Sequence, residues 1–168
     1  MTRFSDKVVP FEKLKKWRDS LIGERLVVTN GCFDIVHLGH VHYLMKAKGA
    51  GTLSLVGVNS DKSVKSLKGQ NRPINNETDR ALFLCAFDFV DFVCVFPEET
   101  ATRFLDLARP TVYIKGGDYN ESNIISSEKE VLIRHKSEIM FTDYIENKST
   151  SNIISVINSS EHRGHQRP

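Results

Sequence analysis

Apolar and polar positions along this chain alternate between two periods, and their order lays out a fold. Residues 10–21 carry Phe11, Leu14, Trp17 and Leu21 at helical spacing behind Pro10, a residue suited to a first helical turn. Residues 25–29 form a β-branched apolar run, the mark of a buried strand, and Asn30-Gly31 reads as the loop that follows. The alternation then repeats. A helix is expected over 40–48, stopped by Gly49 and Gly51, then a strand over 53–58. Ser60-Asp61 supplies short side-chain oxygens to cap a helix reaching Leu67. Residues 68–73 have turn composition and no period, which predicts a surface loop. Helices over 77–87, 100–108 (stopped by Pro110), 128–135 and 149–158 alternate with strands over 92–96, 112–115 and 138–141. Residues 159–168 are polar and read as a frayed tail behind a single domain over 1–158, of which 1–22 is a helical lead-in.

Strands alternating with helices predict an α/β fold, a parallel doubly wound sheet with helices on both faces. Ligands in such sheets lie beyond the carboxyl ends of the strands, at the point where strand order reverses. The polar clusters fall at those ends: residues 30–40, 59–61, 115–119 and the segment before Ser149. One site on one rim accounts for all four.

Composition narrows the class. With 168 residues the chain can bury a core unaided, and 40% hydrophobic with 26% charged residues is ordinary for a globular protein. Twenty-three basic against 21 acidic residues argue against a nucleic-acid surface. Cys32, Cys85 and Cys94 form no CxxC and suit a reducing compartment. The first residues lack an apolar secretory core and no run is long enough to span a bilayer, so a cytoplasmic location without membrane partners is expected.

The richest segment is Gly31-Cys32-Phe33-Asp34-Ile35-Val36-His37-Leu38-Gly39-His40. Strand, loop and helix start follow one another, so helix N-terminal N–H groups point at whatever the loop holds, a ready phosphate site. Gly39 leaves the backbone open to an anion, and His37 and His40, one turn apart, can face one phosphate chain. A zinc site is the weaker alternative: His42 would point elsewhere, and no Cys pair or HExxH accompanies the histidines.

This segment resembles the GxFDxxHxGH signature of the cytidylyltransferase-like nucleotidyltransferases. With VNSDKSVKSLKGQNRP, DRALFLCAFDFVDFV, VYIKGGDY and KSTSNII in that order, the chain is similar to the adenylyltransferase domain of the bacterial ADP-heptose synthases. The likeness runs from about Phe11 to Ile157. It implies a Rossmann-like α/β/α fold, a stand-alone form lacking the sugar kinase often fused to it, and transfer of AMP from ATP to a heptose 1-phosphate. A cytidylyltransferase acting on glycerol 3-phosphate or another small alcohol phosphate is the alternative, disfavoured by KGGDY where glycerol-phosphate enzymes carry a GDDW-like segment. A non-catalytic nucleotide-binding module is more distant, since both motif histidines are intact.

The resemblance implies that His37 and His40 contact the triphosphate and stabilise charge at the α-phosphate. A sugar phosphate is already an anion near neutral pH, so positioning and charge compensation are needed rather than a general base. Lys68, in the loop expected to cover the phosphates, and Arg80 complete the expected catalytic set. Lys68 and Arg72 are the cations expected at the sugar phosphate, and Mg²⁺ is expected with the triphosphate. Cys32, Phe33, Asp34 and Gly39 line the expected nucleotide site, with Asp34 holding the loop in preference to lying near the metal. Lys115, Gly117 and Asp118 end a strand where two glycines permit close approach, and Asp118 can serve either the nucleotide or the sugar. Ser149, Thr150 and Ser151 open the last helix and match the family's STT segment. Relatives often carry glycine just before that segment, where this chain has Glu146-Asn147-Lys148, and near Lys136. A homodimer is left open.

Overall fold

A computed structural model describes residues 4–116, 120, 122–142 and 149–161. Among these residues there are five strands: β1 (Leu26–Gly31), β2 (Leu53–Asn59), β3 (Phe92–Phe96), β4 (Val112–Lys115) and β5 (Glu138–Phe141). They form one parallel sheet in the order β3-β2-β1-β4-β5. The helices are α1 (Leu14–Ser20), α2 (Leu38–Gly49), α3 (Asp61–Lys68), α4 (Glu77–Cys85), α5 (Thr102–Ala108), α6 (Ser126–Arg134) and α7 (Thr150–Glu161). The expected doubly wound architecture is what the chain adopts, with its strand order reversing between β1 and β4.

Alternation along each strand divides the core in two. Leu26 and Val28 of β1, Leu55 of β2 and Tyr113 of β4 pack with Leu14, Phe104, Leu105 and Leu132 under α1, α5 and α6. Val27, Val56, Val58, Val112 and Ile114 face the other way, onto Tyr43 and Leu44 of α2 and Ala81 and Leu84 of α4. Strands buried on both faces read as continuous apolar runs.

Several boundaries differ from the sequence reading. Asn30 and Gly31 continue β1, because β2 runs on to Asn59 and offers them partners (Asn30 opposite Gly57, Gly31 opposite Val58). The expected lead-in helix divides into a 3₁₀ turn, Phe11–Lys13, closed by Lys13 N–H donating to Pro10 O (2.9 Å), and then α1. Lys68 is the last residue of α3, not part of the following loop; Gly69, at φ +96°, makes the turn. The helix α7 continues through Ser159 to Glu161, where a frayed tail was expected. No helix among the described residues is long and apolar enough to cross a membrane.

Candidate active site

The carboxyl end of β1 feeds directly into the N-terminus of α2. Phe33 turns the chain with a left-handed backbone (φ +49°) and buries its ring, tilted against His40 (5.1 Å between centroids) and parallel to Tyr43 (6.3 Å). Gly31 makes room for that ring, since a β-carbon there would lie 3.2 Å from it. Tyr43 is anchored to Thr29 of β1 by a hydroxyl–hydroxyl bond of 2.7 Å, and burial raises its phenol well above the ordinary range.

His37 caps α2, and Gly39 lies in the helix's first turn. The His37 and His40 rings stack at 3.9 Å, and His37 N–H donates to His40 Nδ1 through a long 3.4 Å bond. Burial, and secondarily His37, push His40 down to about 3. His40 is therefore neutral at physiological pH. With Nδ1 accepting, its proton sits on Nε2, and the ring presents a hydrogen-bond donor rather than a cation.

The loop between β1 and α2 is tied from beneath. Asp34 accepts from Arg72 Nε (2.5 Å), Ile74 N–H (2.7 Å) and Asn75 N–H (3.1 Å), and its carbonyl accepts from Asn75 Nδ2 (2.7 Å). The Asp34 carboxylate thus holds the loop, and Arg72, expected at the sugar phosphate, is its ion-pair partner. Arg80 is 1% exposed. It donates to the carbonyls of Cys32, Asn75 (3.0 Å) and Asn59 (2.7 Å) and pairs with Asp61 (2.8 Å). This clamp joins the ends of β1 and β2 to the starts of α3 and α4. Arg80, expected to be catalytic, is placed by these bonds as the knot of the rim. Lys68 is exposed, and its charge together with that of Arg80 opposes the upward push of burial on the Cys32 thiol.

Lys115 also lies otherwise than expected. Only 6% exposed, it turns its ammonium inward, onto Asn30 Oδ1 (3.2 Å), Tyr113 Oη (3.0 Å) and Glu128 Oε2 (3.6 Å). Burial lowers its affinity for the proton, and Glu128 opposes that shift. On the far side of the rim, Thr150 Oγ1 donates to Ile35 O (3.1 Å) and Ser149 Oγ caps α7 by accepting from Asn152 N–H (3.1 Å). Ser151 is exposed in the first turn of α7. The structure therefore brings Cys32, Phe33, Asp34, His37, Gly39, His40, Ser149 and Thr150 around one loop. Gly117 and Asp118 lie outside the described residues.

A cavity of about 290 Å³ opens beside this loop, with Phe33, Ile35, Val36 and Phe83 as its apolar wall and Asp34, Asn75, Asp79 and Arg80 as its polar one. Arg80 is spent on carbonyls and Asp61, so the open N–H groups of the α2 N-terminus suit a phosphate better than this cavity does. Among the described residues no group of three or more His, Cys, Asp or Glu is arranged to hold a metal ion.

Sequence reasoning missed Asn30, Tyr43, Asn75 and Glu128. For Glu128 a signal exists: it shares the buried face of α6 with Val131 and Leu132 at i+3 and i+4, and a charge on an apolar stripe needs a buried partner.

The sequence model of the cytidylyltransferase-like family matches residues 28–157. The "Bifunctional protein HldE" of Campylobacter fetus is 43% identical over 154 residues, covering 92% of this chain and 32% of that protein. Its namesake from Geotalea uraniireducens is 44% identical over 152 residues, 90% of this chain and 30% of its own. The chain thus spans about a third of the length of these curated relatives. Among solved structures, a lipopolysaccharide core biosynthesis protein from Thermoplasma volcanium superposes with a TM-score of 0.63 at 26% identity, over 74% of this chain and all of that one (100%). The pantoate-beta-alanine ligase of Francisella tularensis shares the fold, with a TM-score of 0.61 at 15% identity over 80% of this chain and 66% of its own.

Proposed function

Because the chain belongs to the cytidylyltransferase-like family of nucleotidyltransferases, we propose that it transfers AMP from ATP to D-glycero-D-manno-heptose 1-phosphate. The products are ADP-heptose and pyrophosphate. The observation that carries the reading is the stacked pair His37 and His40 at the N-terminus of α2, beside the Thr150 tie from α7.

A phosphate oxygen of the sugar attacks the α-phosphorus of ATP, the bond to the bridging oxygen breaks, and pyrophosphate leaves with that electron pair. The α2 N–H groups and the two imidazoles face the charge that grows on the phosphates, and Lys68 closes from the end of α3. Mg²⁺ bound with ATP would supply charge neutralisation at the phosphates. The heptose assignment is supported by the resemblance of VYIKGGDY and by the role named for the Thermoplasma volcanium protein. The same reading places the protein in the cytoplasm, where ATP is supplied, with no nucleic-acid partner.

Pyrophosphate release from ATP, CTP, GTP and UTP, each against a panel of sugar and polyol phosphates, tests the proposal. ATP with the heptose 1-phosphate should be the fastest pair and should need Mg²⁺. His37→Ala and His40→Ala should each slow it by roughly 10²–10³, the usual cost of one preorganised donor. A faster pairing of CTP with glycerol 3-phosphate would replace the proposal with the cytidylyltransferase reading.

A further inference from the structure

Asn30 closes β1 on the strand face that carries Leu26 and Val28, at the crevice where sheet order reverses toward β4. Its Oδ1 receives the Tyr113 hydroxyl at 2.6 Å and the Lys115 ammonium at 3.2 Å. An ammonium has no lone pair, so the atom facing Lys115 must be the amide oxygen. Tyr113 in turn accepts from Lys115 (3.0 Å), and its own proton goes to Asn30 at 2.6 Å over the longer reach to Glu128 Oε2 at 3.4 Å. Glu128, 1% exposed, stands 3.6 Å behind the ammonium and is itself held by Ala101 N–H (2.8 Å). A chain of buried polar groups running from the start of α5 through α6 and β4 therefore fixes the orientation of one half-buried amide. The Asn30 nitrogen is turned away from these donors, and it makes no hydrogen bond within the described residues.

We infer that Asn30 is a nucleotide-binding residue whose side-chain N–H₂ donates to a phosphate oxygen of the bound nucleoside triphosphate. This rests on the nucleotidyltransferase reading above. The crevice at a strand-order reversal is where such sheets admit their ligands. A cation bonded to the amide oxygen draws electron density from the nitrogen and strengthens its N–H groups toward an anion. The buried lysine thus acts on the nucleotide through Asn30, as a positioning residue.

Asn30→Asp tests this with little disturbance, because the carboxylate keeps both acceptor bonds while exchanging the outward N–H₂ for a negative oxygen. In the full chain, calorimetric affinity for Mg·ATP should fall about a hundredfold, with Tm unchanged or raised. Asn30→Ala, which removes the donor without adding charge, should lose about tenfold and melt lower. A purely structural asparagine would rank the two oppositely, since Asp is the milder change for the fold. Equal affinities in Asn30→Asp and wild type, or a greater loss in Asn30→Ala, overturns the inference. Should wild type bind Mg·ATP yet release no pyrophosphate with any acceptor, the reaction reading fails and the Asn30 measurement still stands.

Discussion

His37 N–H points at His40 Nδ1, and the two rings lie 3.9 Å apart, so the second histidine is locked in one tautomer by the backbone of the first. The arrangement has a pH signature. His40 is held at about 3 in the folded chain against an ordinary 6.5. Between those values the unfolded chain binds a proton that the folded chain refuses. Stability should therefore be unaffected by this group above pH 6.5 and fall as the pH drops toward 3, by at most about 1.4 kcal/mol per pH unit. Melting curves of wild type and His40→Asn across that window should diverge as pH falls. Because His40 meets the triphosphate as a neutral donor, Mg·ATP titrations at pH 6 should take up no proton at this ring. Binding heats that differ between wild type and His40→Asn in their dependence on buffer ionisation enthalpy would sink that expectation.

Lys68 ends α3 immediately before Gly69, whose φ of +96° lets the chain swing away. An ammonium that closes over the phosphates helps most when the attacking anion is nearest the α-phosphorus. Lys68→Ala should lower kcat and kcat/KM together, and Lys68→Arg should recover only part, since a planar fork does not replace a point charge. Steady-state kinetics with each substrate varied in turn decides it. Unchanged constants in Lys68→Ala would make this an ordinary surface lysine.

Arg80 has no exposed side-chain surface and serves three carbonyls and Asp61. Arg80→Met should destabilise the fold by about 3–5 kcal/mol in urea unfolding, the cost of leaving buried acceptors and a charge unanswered. Lys in its place keeps the charge but not the fork, and should recover little. Wild-type stability with lost turnover would instead show that Arg80 acts on the ligand.

Lys136 follows α6 in a left-handed backbone (φ +55°). Its N–H donates to Ile133 O (3.0 Å) and that of Ser137 to Leu132 O (2.9 Å), the pair of bonds that closes a helix around glycine. Here a side chain occupies that place. Lys136→Gly should stabilise the protein by up to about 1 kcal/mol, read as a rise in Tm with activity unchanged. A lower Tm would mean that the lysine stem contributes packing which outweighs the backbone cost.

The five strands could be read from sequence because each is a short apolar run between turn residues, buried on both faces. The histidine pair could be read because its geometry is local: strand, loop and helix start follow within a dozen residues. Lys115 could not. A lysine ahead of two glycines at a strand end looks like a ligand contact, and it turns inward only because β4 docks on β1 and brings Glu128 and Asn30 to it. The partners of Arg80 were hidden for a similar reason. It sits beside the buried Ala81 and Leu84, and its acceptors come from three separate segments that only the folded sheet assembles. Lys68 differed by a single helix boundary.

The strand order also dictates when the rim can come into existence during folding. Strands β1, β2 and β3 pair in sequence, each with the next, over loops of moderate length. The fourth must return to the opposite side of β1, and the Lys115–Asn30 bond closes a separation of 85 residues. Closing so long a loop has an entropic cost that nearer contacts avoid, so this docking belongs late in folding. Until it happens, Asn30, Tyr113, Lys115 and Glu128 are merely hydrated side chains on separate segments. Nucleotide binding would then serve as a kinetic reporter of the last assembly step, appearing only after the three-strand half of the sheet has already gained its protection from hydrogen exchange.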